Sequence, residues 1–149
     1  MSPWQAVSQR RHRALVWLLC LAGATEILAF GAVVMPRSWM ESAHAWLGMG
    51  AMPDGPVIMF MIRQASYFYG MHGISLCILA TDPPRYRPLI VFNGWMFLLA
   101  GPLFLAIDLS VKAPLPWTVV DTLGCGLLGA ALLWLAPRKP DAASRQAAR

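Results

Sequence analysis

Four long apolar runs dominate this chain, and each has the length a lipid bilayer demands. A hydrocarbon core about 30 Å thick is crossed by about 20 consecutive apolar residues in a helix. Residues 14–35, 57–80, 88–108 and 116–136 meet that requirement. The segments between them, residues 36–56, the TDPPRYRP stretch from Thr81 to Pro88, and residues 109–115, are broken by proline or charge. Hydrophobic residues make up 58% of the chain and charged residues 13%, against about 25% charged in soluble domains. That balance excludes a disordered or fibrous chain and argues against a water-soluble globule. The expected fold is an all-α integral membrane protein, an up-down bundle of four transmembrane helices. Short second and third connections make chain neighbours antiparallel. Residues 1–13 and 137–149 form basic tails around a transmembrane domain over 14–136.

Charge placement sets the expected orientation. Arg10, Arg11, Arg13, Arg85, Arg87, Arg138, Lys139, Arg145 and Arg149 fall on one side of such a bundle, and only Arg37 and Lys112 on the other. The positive-inside bias then puts both termini in the cytoplasm of a cell inner membrane. The net charge of +5 is thereby explained by topology and anionic lipid, and no nucleic-acid partner is expected. Trp17, Trp134, Trp39, Trp46 and Trp117 fall near the two interfaces, where amphipathic rings anchor. Arg10 to Arg13 followed by Leu15 to Leu21 has the outline of a secretory leader, with Ala22-Gly23-Ala24 as a cleavage site. The apolar run continues through Ile27 to Met35, long enough to span, so the reading is a retained helix.

The first outer loop has its own helical signature. Ser38-Trp39-Met40-Glu41 has capping-box spacing, with Ser38 as N-cap and Glu41 at N3. Trp39, Ala43, Trp46 and Leu47 recur at helical spacing. A short interfacial helix over residues 38–47 is expected, lying across the bundle mouth either as a plain lid or as a gate.

Ionisable side chains inside a span cost roughly 2.5–3.5 kcal/mol each, so each needs a reason. Counting about 1.5 Å per residue from the outer helix ends puts Glu26 and Arg63 at overlapping depths. Asp108 closes the third span and Asp121 opens the fourth. With Tyr67 one turn after Arg63, these residues form the expected ligand or proton-linked cluster: Glu26, Arg63, Tyr67, Asp108 and Asp121, with Glu26–Arg63 as its ion pair. A pair that only locks helix register and aspartates that only cap helix ends explain the same residues. His72 and Asn93 share a depth and form a secondary polar pair. Ser66, Gly70, Gly73 and Cys77 make a small-residue stripe suited to close helix approach, and Gly124, Gly126 and Gly129 another. Gly101-Pro102 interrupts the third span and frees the Leu98 carbonyl.

Cys20, Cys77 and Cys125 lie singly within apolar runs with no metal-ligand spacing, and three histidines are too few for a histidine-rich di-iron site. No metal site is expected, no enzyme motif is specific, and no cofactor is specified. The acid in GATEILAF (Glu26), the RQASYFYGMHG stretch from Arg63 and the aspartate in FLAIDLS (Asp108) together resemble the DoxX-like group of small four-helix bacterial membrane proteins. The resemblance covers most of the chain in architecture and implies an accessory or quinone-related role, with no defined catalytic set. Three functions fit: an accessory subunit or lipid/quinone-like ligand-binding protein, a small proton-linked transporter or channel acting as an oligomer, and a membrane enzyme on a lipid-like substrate. The first is preferred, with membrane lipids and either a membrane protein partner or a second copy as partners.

Overall fold

A computed structural model describes residues 3–137, with the side chains of residues 3–6 left aside. Arg138, Lys139, Arg145, Arg149 and nearly all of the expected 137–149 tail lie outside the described residues. The chain is helical, in the order α1 (Pro3–Ile27), α2 (Phe30–Val34), α3 (Arg37–Trp46), α4 (Pro56–Thr81), α5 (Arg87–Val111) and α6 (Leu115–Leu135), and no strand occurs among the described residues. The expected spans 57–80, 88–108 and 116–136 thus match α4, α5 and α6 to within a few residues. Proline occupies the first turn of each of these three helices, where its missing N–H would have had no partner anyway. Two expectations about the first span need correction. The helix starts at Pro3, so most of the 1–13 tail is helical. The helix also breaks after Ile27, where Ala29 N–H bonds to Glu26 O at 3.0 Å and Gly31 N–H to Leu28 O at 3.0 Å.

Three helical segments are long and apolar enough to cross a membrane: Val7–Val34, Arg87–Val111 and Leu115–Leu135. The 26-residue α4 is the exception. Arg63, Gln64, Tyr67, Tyr69 and His72 lower its hydropathy. The surface agrees with a membrane setting: Leu28, Phe68, Leu99, Leu109 and Leu127 are all exposed, more apolar surface than water tolerates. All five tryptophans expected at the interfaces lie on the surface, from Trp117 at 40% exposure to Trp46 at 85%.

The helices pack as two pairs, α1 with α4 and α5 with α6, joined by a smaller α1–α6 contact. Each pair is built on glycine. A Cβ added at Gly73 would sit 2.5 Å from Gly23 O and 2.8 Å from Ile27 N, and one added at Gly129 would sit 2.7 Å from Gly94 O. Only glycine lets the backbones come so near. The small-residue stripe of α4 is therefore the face that meets α1. On α6 only Gly129 fills that role in full, because a Cβ at Gly124 or Gly126 would meet nothing within 4 Å.

Leu15, Leu19, Leu76, Leu79, Ala80, Ile90 and Leu132 form one buried core beside the α4–α5 turn. The turn itself is tight. Tyr86 N–H donates to Asp82 O at 3.0 Å, Arg85 N–H to Asp82 Oδ1 at 3.2 Å, and Pro83 is fully buried. The start of α1 and the end of α6 flank this same turn, so both ends of the described chain lie at one end of the bundle. Away from it α4 and α5 diverge and do not pack along their lengths. A plain up-down bundle would have packed these chain neighbours together.

The loop helix forms where expected, as α3, but by a different start. Its N-cap is Pro36, with no side-chain cap. Glu41 is held by Arg37 Nε at 2.6 Å, and Arg37 also pairs with Asp54. The capping box fails because Arg37 takes the glutamate and Pro36 already presets the entry. The glutamate hydrogen bond, with the Asp54 and Glu41 charges, raises the Arg37 pKa above its ordinary value despite the opposing effect of desolvation. Met40 is the buried residue of α3, while Trp39 and Trp46 project outward.

Candidate functional site

The close Gly23–Gly73 crossing sets what faces what at the centre of the α1–α4 pair. Three residues past Gly23, Glu26 arrives beside His72, the residue preceding Gly73. The His72 Nδ1 to Glu26 Oε2 distance is 2.6 Å, and Glu26 keeps only 15% of its side-chain surface. On its other edge His72 reaches across to α5, with Nε2 2.7 Å from Asn93 Oδ1 and its ring 5.7 Å from the Phe97 ring. The expected His72–Asn93 pair is therefore formed, and it bridges the two diverging helices.

The network assigns the protons. Asn93 Nδ2 donates to Leu89 O at 2.9 Å, which leaves Oδ1 to face the imidazole. Nε2 must then carry a hydrogen and donate it. The remaining proton lies between Nδ1 and Glu26, on one or the other. Either way the Glu26–His72 pair holds no net charge, the form that an apolar medium accepts.

These three side chains border a cavity of about 640 Å³ between α4 and α5, whose walls include Phe68, Phe92, Met96 and Phe97. Phe68, Phe92 and Met96 are more than half exposed, so the cavity is a groove on the surface of the molecule. An apolar trough with a few convergent polar groups is the usual form of a small-molecule site.

The expected five-residue cluster does not assemble. Glu26 pairs with His72 and not with Arg63, which is exposed and joins none of the ion pairs among the described residues. Depths counted from helix ends assumed that the two helices start flush. The glycine crossing and the break after Ile27 set a different register, leaving Arg63 about 13 Å along α4 from His72 at 1.5 Å per residue. Tyr67 stacks edge-on against Phe30 at 5.9 Å and is half exposed. Asp108 is buried near the end of α5, where its Oδ2, like the buried Thr122 hydroxyl, has no hydrogen-bond partner among the described residues. Asp121 is partly exposed on α6 and joins no ion pair among the described residues. The Glu26–His72 contact is what sequence reasoning missed. Its signal was present: aligning the α4 glycine stripe against Gly23 in an antiparallel pair brings residues 26 and 72 together. No group of metal-binding residues occurs among the described residues.

No family model, curated protein or solved structure matches the chain.

Proposed function

We propose that this is a multi-pass protein of a bacterial inner membrane that binds a lipid- or quinone-like molecule in the α4–α5 groove. On this reading α4 is the second of four spans, both termini are cytoplasmic, and α3 lies in the outer interface. The resemblance to the DoxX-like group fits the same assignment, and an accessory role beside a membrane partner follows from it. The observation that carries the proposal is the placement of the net-neutral Glu26–His72–Asn93 chain at the side of an apolar groove of about 640 Å³. An apolar tail fits against Phe68, Phe92 and Met96. A polar head reaches the imidazole edge by displacing Asn93, or reaches the Glu26 carboxyl directly. α4 is tolerated as a span despite its polarity because His72 is satisfied inside the bundle and Arg63 can extend toward the headgroups.

A binding titration of a short-chain quinone against the delipidated protein tests this, read by quenching of tryptophan fluorescence. Saturable quenching that weakens about tenfold or more in His72→Phe is expected, since a polar head would lose a hydrogen bond in an apolar site. Equal quenching in the two proteins would refute it. The shared proton between Glu26 and His72 favours a second reading, a proton-linked transporter acting as an oligomer. Its mark would be proton uptake into liposomes that Glu26→Gln abolishes.

A further inference from the structure

The end of the molecule beside the α4–α5 turn holds a second cavity with different chemistry. It measures about 570 Å³ and lies between the start of α1, the α4–α5 turn and the end of α6. Its polar lining is Ser8, Arg11 and His12, which lie within one turn of α1, and its apolar lining includes Val7, Leu15 and Leu135. Among the described residues, no carboxylate borders it. Asp82, the acid of the adjoining turn, already accepts the Arg85 backbone N–H.

Arg11 is fixed in place. One of its terminal nitrogens donates to the Trp134 carbonyl, and its guanidinium carbon lies 5.3 Å from the centre of the Trp134 ring. A guanidinium has five N–H donors in one plane, so donors remain for the cavity it lines. Arg87 Nε donates to the Pro137 carbonyl, so another arginine holds the chain just past the end of α6. Arg10, Arg13 and Arg85 are exposed nearby in the sequence of these same elements. The result is a pre-positioned cation, a hydroxyl and an imidazole lining one cavity together with apolar side chains, at the helix ends beside the α4–α5 turn.

We propose that this cavity binds the headgroup of an anionic phospholipid. The phosphate sits against Arg11, Ser8 and His12, and the glycerol and upper acyl chain lie along Val7, Leu15 and Leu135. Basic cavities between membrane helices on the cytoplasmic side suit such headgroups. The proposal is independent of the α4–α5 groove.

The test uses the full chain, purified and delipidated, with lipid retention read by native mass spectrometry. Phosphatidylglycerol, phosphatidylcholine of the same acyl chains, and soluble glycerol phosphate are compared. Retention of phosphatidylglycerol over the other two is expected. Arg11→Gln should weaken it about fivefold, the effect of one cation near a membrane surface. Ser8→Trp fills the mouth at an exposed position without touching the Trp134 anchor, and should reduce retention even if Arg11→Gln fails to fold. Arg85→Gln, outside the cavity, should change it less. Equal retention of phosphatidylcholine, equal binding of glycerol phosphate, or equal losses in Arg11→Gln and Arg85→Gln would each overturn the proposal.

Discussion

The two ends of this bundle solve the same packing problem in opposite ways. Beside the α4–α5 turn, leucines from α1, α4 and α6 close with Ile90 of α5 into a core from which Leu19, Leu76, Ile90 and Leu132 show no surface at all. Beyond that core α4 and α5 part, and the His72–Asn93 hydrogen bond and the His72–Phe97 contact link them across the gap. The core of the closed end is apolar and holds by shape. The open region contains the half-buried polar chain and a groove with exposed aromatic walls. A membrane protein gains little hydrophobic energy from bringing helices together, because lipid is as apolar as leucine. Tight packing is therefore needed only where stability comes from it, and the splayed half is free to hold a ligand.

The largest expected effect separates the two halves directly. Leu76→Ala, at the closed end, should cost about 2–5 kcal/mol through the cavity left behind. Phe92→Ala, on the groove wall, should stay within about 0.5 kcal/mol, as surface changes usually do. Unfolding in a denaturing detergent measures both. Similar losses would mean that the groove wall is part of the core, and the contrast would fall.

The glycine contacts come next. Gly73→Ala and Gly129→Ala force a methyl into backbone of the facing helix, and each should cost about 1–3 kcal/mol by overpacking. Gly124→Ala meets open space and should stabilise by up to about 1 kcal/mol through helix propensity alone. The same unfolding assay would sharpen the picture of two glycine-built pairs. A stabilising Gly73→Ala would show that α1 and α4 are not pressed together at that point.

These glycines also mark how far the sequence could be read. Helix positions were legible, because length, hydropathy and proline punctuation act locally: α4, α5 and α6 fall within a few residues of their expected bounds. The His72–Asn93 pair was legible too, since a short turn ties α4 to α5 and fixes their relative depth. The partner of Glu26 was not legible from depth alone. The long loop carrying α3 leaves α1 and α4 free to slide, and the Gly23–Gly73 contact decides their register. The capping box at Ser38 was misread for a local reason, because Arg37 competes for Glu41 one turn away. The groove could not be read at all. It arises from what α4 and α5 fail to do, and a hydropathy pattern records only which faces are apolar.

The smallest expected effect tests the register itself. If Glu26 belongs to His72, the variants Glu26→Gln and His72→Phe should be coupled in a double-mutant cycle by about 0.5–3 kcal/mol, as residues in one hydrogen-bonded network are. Glu26→Gln and Arg63→Met should add within about 0.5 kcal/mol, because the two side chains share no partner. Arg63→Met alone should be neutral or mildly stabilising. It replaces an exposed cation with an apolar side chain in a helix proposed as a span, and it leaves no buried carboxylate unpaired. A strongly destabilising Arg63→Met, with large Glu26–Arg63 coupling, would mean that the arginine folds inward onto the acid. The groove would then lose its neutral polar chain, and the contrast between a closed end and a half proposed to bind a ligand would lose its chemical content.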